Sequence, residues 1–140
     1  MAAFNKYQDF VDQLGRGVHQ LHAAGHLLKG ALTNTAPLAT HTVLANITEL
    51  GAGNGYTAGG ADAQNDYTEA AGIGTLTCVD IVWTAAGGAM GPFRYVVLYN
   101  DTPAAPLDPL IGWWDYGSAV TLQIGETFTV DFGASVGTLA

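Results

Sequence analysis

Positive charge is scarce in this chain. Its 140 residues include four cations, Lys6, Arg16, Lys29 and Arg94, against twelve acids, for a formal charge of −8. Beyond Lys29 the only cation is Arg94, facing ten acidic residues. Nucleic-acid affinity comes largely from Lys and Arg displacing counterions from phosphates, so no direct nucleic-acid partner is expected. There is a single cysteine, Cys78, so an intrachain disulfide is impossible and the fold must stand on its core. Serine occurs only at Ser118 and Ser135, neither inside a Gly-x-Ser-x-Gly elbow, and Cys78 lies in an apolar β-like run where a thiol packs. No carboxylate pair can be nominated for acid–base work. The expectation is therefore a non-enzymatic protein with no cofactor and no metal. Long apolar runs are absent too. The longest uncharged stretch, residues 30–48, is rich in Thr, Asn, His and Pro, which excludes a membrane span there. The opening "MAAFNKYQDF" has no basic region followed by an apolar run, so no secretory signal is expected.

What is present points to a folded β protein. Apolar residues make up 49% and charged ones 11%, too apolar and too weakly charged for disorder. The length suits one domain, residues 1–140. Threonine outnumbers serine fifteen to two, and β-branched and aromatic residues fit a pleated, half-buried surface. Phe4, Tyr7, Val11, Leu14, Val18 and Leu21 recur at three- and four-residue spacing, which predicts a helix over 4–21 within an N-terminal arm, 1–24. Gly15 and Gly17 weaken its second half.

From residue 27 to 140 the texture is of short strands broken by Gly, Pro and Asn. Runs at 27–33, 42–50, 74–84, 93–101 and 110–117 read as strands, with 74–84 unbroken. "AVTLQI" and "TFTVDF", joined by "GE", read as a hairpin with Val120, Leu122 and Ile124 opposite Phe128, Val130 and Phe132. The predicted class is mainly β: an antiparallel β-sandwich of jelly-roll type with one N-terminal α-helix, a small barrel being the other closure.

"GAGNGYTAGG" (51–60) invites a phosphate-loop reading. It leads into no Gly-Lys-Ser/Thr and is followed by Asp62, Asp66 and Glu69, so a mobile surface loop is expected. Those acids supply oxygen ligands, but a calcium loop starting at Asp62 needs glycine where Tyr67 stands and glutamate where Ile73 stands. His19, His22 and His26 have metal-like spacing without a completing ligand. Trp113 and Trp114 must point to opposite faces of a strand, one filling the core and the other covering a surface. Arg94 is expected to bind a carboxylate such as Asp80 or Asp131, or to reach a neighbouring subunit. Asn46-Ile47-Thr48 and Asn100-Asp101-Thr102 match the glycosylation pattern by chance.

The phrases "LTNTAP", "ITELGAGNGYTAGG", "MGPFRYVVLYNDTP", "DPLIGWWDYGS" and "ETFTVDF" give residues 27–140 a resemblance to a family of small structural proteins, the cement or head decoration proteins of tailed bacteriophages. The resemblance implies a jelly-roll protein, made in the host cytoplasm, that dimerises on the outside of the virion capsid and bridges major capsid subunits. It brings no catalytic, metal or substrate residues. The residues nominated for partner contact are Phe4, Tyr7, Val11 and Arg16 in the arm, with Arg94, Trp113, Trp114 and Tyr116 in the sandwich. The competing reading is a carbohydrate- or receptor-binding β-sandwich module of a tail or fibre, gripping its ligand with Trp113 or Trp114 and Tyr116.

Overall fold

The structure is a computed structural model that describes residues 2–139. It is mainly β, with antiparallel sheets and, among the described residues, one α-helix. The first sheet has five strands, in the order β1 (Phe4–Lys6), β8 (Leu110–Leu122), β7 (Met90–Asn100), β2 (Leu28–Thr33) and β3 (Ala61–Asp62). Three further strands pair as β10 (Gly137–Leu139), β5 (Ile73–Thr77) and β4 (Asp66–Ala70), and two as β6 (Ile81–Thr84) with β9 (Thr127–Val130). The last two sheets are separate antiparallel pairings: Ile81 lies opposite Val130 and Thr84 opposite Thr127 in one, Leu76 opposite Gly137 and Gly74 opposite Leu139 in the other.

The sheets share one apolar core. Leu28, Leu32, Val96, Leu98, Ile111 and Trp114 from the five-stranded sheet pack with Leu76, Ile81, Trp83 and Val130 from the two smaller sheets and with Phe132 after β9. Each large side chain removed from water in this way contributes about 1.5–3 kcal/mol. β7 is buried almost continuously from Tyr95 to Asn100, because its other face is covered as well. There Ala31, Val97, Tyr99 and Leu110 pack with Tyr7 and Ile47. Trp113 joins this second core and Trp114 the first, as the parity of adjacent strand residues requires.

Four expectations need correction. The helix is α1, Gln8–Gly15, not 4–21: Phe4 lies in β1, opposite Trp114, and the chain turns away at Gly17, whose φ of 78° is left-handed. Phe10, off the supposed stripe, is the buried helical residue, while Val11 is 54% exposed. The N-terminal segment is thus an edge strand paired with β8, a short helix and a loop rather than a helical arm. Residues 42–50 form no strand but a 3-10 turn at Leu44–Asn46, where the Asn46 side-chain Oδ1 accepts from the Thr42 and Val43 amides. The run 74–84 is broken between β5 and β6, where the Asp80 carboxylate takes the Phe132 amide at 3.0 Å. Finally, the last hairpin does not form. β8 ends against β7, with Leu122 opposite Met90, and β9 pairs with β6. Alternation identified the inward residues Phe128 and Val130 but not their partner.

Candidate functional site

The nominated residues divide into a packed group and a surface group. β1 lies along β8, which brings the two ends of the nomination together: Phe4 meets Trp114 with ring centroids 5.2 Å apart, and Tyr7 meets Trp113 at 4.6 Å. Trp114 and Tyr7 are fully enclosed, and burial pushes the Tyr7 phenol far above its ordinary range. Trp113 is half-buried against Tyr7. Tyr116 is also half-buried, edge-on to Phe128 at 5.0 Å, and burial raises its phenol pKa. The three β8 aromatics therefore face two different cores and form no common platform.

The surface group is Val11, Arg16 and Arg94. Arg16 is tied to Asp12 one turn back at 2.7 Å. Arg94 makes the expected bidentate bond, but to Asp115 across β7 and β8, at 2.8 and 3.0 Å. Those contacts, with the Gly117 amide, hold the Asp115 carboxyl below its usual range. Lys29 pairs with Asp101 at 3.1 Å. Three of the four cations are thus neutralised within the chain.

The acids are equally committed. Asp62 accepts the Gln64 amide, Asp66 the amides of Ala23 and Tyr67, Glu69 that of Gly72, Glu126 that of Gln123 and Asp131 that of Gly133. Apart from the Asp66 bond to the distant Ala23 amide, these carboxylates cap amides within three residues of themselves. Among the described residues no group of three or more His, Cys, Asp or Glu side chains comes together to hold a metal. The acidic stretch 61–73, expected as loop, instead forms β3 and β4, and β4 turns at Ala71–Gly72 into β5. His19 and His26 meet at Asn100 rather than on a helix face. Cys78 is half-buried, and desolvation, with Asp62 nearby, pushes its thiol up to about 12, where it is inert. Asn100 is wholly buried, which closes the second glycosylation pattern.

The glycine segment is pinned at its second half. The Tyr56 hydroxyl donates to Glu49 at 2.5 Å, the Gly59 amide reaches the same carboxylate at 2.6 Å, and the Tyr99 hydroxyl donates to the Gly59 carbonyl. An apolar cleft of about 100 Å³ lies between β1, α1 and β10, lined by Phe4, Phe10, Leu21, Leu76 and Val136 among others. It is smaller than the roughly 300 Å³ at which small-molecule sites begin.

One surface escaped the sequence reading. With Ile81, Trp83, Phe128 and Val130 turned inward, β6 and β9 present Val82 opposite Thr129 and Thr84 opposite Thr127 on the outside. Val82 is 57% exposed. This uncharged, β-branched face was hidden because "TFTVDF" was paired with the wrong strand; its outward threonines were legible, their neighbour was not.

The chain matches no protein-family model, no curated protein and no solved structure.

Proposed function

We propose that the chain is a virion structural protein that decorates the exterior of a tailed-phage capsid, bridging major capsid subunits as a homodimer. The observation that carries this reading is the uncharged outer face of β6 and β9 on a molecule of charge −8 whose other polar groups are mostly spent internally. Copies of like charge repel one another everywhere except across such a face, and exposed apolar groups there favour a protein partner. The family resemblance of residues 27–140 supports the same reading, and with it the jelly-roll assignment of the antiparallel fold. Val11, Arg16 and Arg94 remain the nominated residues most open to a partner.

Such a protein acts by mass action: binding the assembled shell and not the free subunit shifts the equilibrium toward the intact particle. Many copies on one lattice resist internal pressure through simultaneous engagement, without any single tight contact. Two measurements test this. The protein is expected to co-sediment with empty capsids and to lose that property in Val82→Lys. Particles stripped of it are expected to release DNA at a lower temperature. Equal thermal stability with and without the protein would remove the cement role, and a specific hit on a glycan array would favour the tail-module reading.

A further inference from the structure

Residues 18–27, between α1 and β2, are an irregular loop held by two buried asparagines. Asn65 donates to the carbonyls of Leu21 at 2.7 Å and His26 at 3.1 Å, and accepts the Leu28 amide at 3.0 Å. Asn100, at the end of β7, accepts the Thr102 amide on its Oδ1 at 3.2 Å. That bond decides which end of the amide is oxygen. The Nδ2 group therefore faces Nδ1 of His19 at 3.1 Å and Nδ1 of His26 at 2.9 Å.

An amide NH2 group can only donate. Both imidazoles must therefore offer a lone pair at Nδ1 to keep these bonds. His26 Nδ1 also takes the Gln20 amide at 3.4 Å. A proton added to either Nδ1 would set one N–H against another. His19 has little alternative: it is 6% exposed, its ring lies 5.1 Å from that of Phe10, and its Nε2 is buried without a partner.

The charged and titratable groups around the two rings offer no counter-ion. His22 shares the loop, α1 contributes Asp9 and the Asp12–Arg16 pair, and Tyr67 lines the depression beside His19. Asp62 lines the one beside His26, Asp66 is bonded to the Ala23 amide, and Asp101 is paired with Lys29. None of the ion pairs among the described residues includes a histidine.

We propose that Asn100, His19 and His26 form an acid-released latch, which holds the 18–27 loop closed while both rings accept from Asn100 at Nδ1 and frees it when His19 takes up a proton there. Opening would uncover Phe10, on which His19 packs, and withdraw Leu21 from the core. Burial, and secondarily His26, holds the His19 pKa down at about 4 against an ordinary 6.5. A depressed pKa in the folded state stabilises the closed form fully above pH 6.5, and that contribution is lost as pH falls toward 4.

The test is hydrogen–deuterium exchange read by mass spectrometry from about pH 7.5 to about pH 4, corrected for the intrinsic pH dependence of exchange. Peptides spanning 18–27 are expected to lose protection by at least about ten-fold while peptides of β7 and β8 keep theirs. Asn100→Asp supplies a carboxylate that accepts from both Nδ1–H groups, so its loop should be better protected at acid pH than at neutral pH. Should that variant fail to fold, the double variant His19→Gln, His26→Gln keeps two acceptors that cannot titrate, and its loop should stay closed on acidification. Loop protection in the wild type that is flat with pH until global unfolding would overturn the latch. So would acid opening that persists in the double glutamine variant.

Discussion

Replacing Asn65 with alanine strands three backbone groups at once: the buried Leu28 amide and the carbonyls of Leu21 and His26. A buried donor left without an acceptor costs the desolvation of that group, so Asn65→Ala is expected to lose about 3 kcal/mol of stability in urea titration. A loss below about 1 kcal/mol would mean that water takes over the amide's role. Nothing in the sequence marks this asparagine, because its partners lie some forty residues away in the chain. Other residues were legible in part. Strand parity separated Trp113 from Trp114, and the scarcity of cations made an ion pair for Arg94 the ordinary expectation. Its partner was not legible: Asp80 is taken by the Phe132 amide and Asp131 by the Gly133 amide, while register shifts between β7 and β8 bring Asp115 alongside. The histidine spacing was visible, but its meaning depended on a helix that stops at Gly15.

Among the elements, β2, β7 and β8 lie where the apolar runs place them, since strands buried on both faces show as near-continuous hydrophobic stretches. The N-terminal helix misled because a three-four spacing was read across Tyr7, where β1 gives way to α1, and past Gly17. The β9 error has another source: pattern tells which face is inward, whereas pairing depends on contacts distant in sequence. The connection from the glycine segment into β3 makes a demand that only glycine meets. Gly60 has a φ of 79°, and a Cβ there would overlap the Gly30 carbonyl oxygen of β2. Backbone on the far side cannot yield as a flexible side chain would. Gly60→Ala is therefore expected to cost more than about 3 kcal/mol, seen as a large drop in Tm or as failure to fold. An unchanged Tm would show that β2 and β3 can separate locally without loss of the fold.

For the whole molecule, the balance of charge is the dominant property. Carboxylates that cap turns and three cations held in pairs leave an acidic body whose net charge favours solubility at high concentration. The same arrangement governs how the native fold meets a protease that must find Lys or Arg. Lys6, Lys29 and Arg94 lie in β1, β2 and β7, where an extended segment would have to be pulled from its sheet before it could enter an active site. Arg16 alone stands in a turn, with its side chain 69% exposed. Limited trypsin digestion of the folded protein is therefore expected to cut first after Arg16. The nicked product should elute in gel filtration like the intact one, since β1 remains zipped to β8. Early cleavage after Lys29 or Arg94 would contradict this. The folded surface thus offers trypsin one early entry point, and cutting there leaves every strand in its sheet.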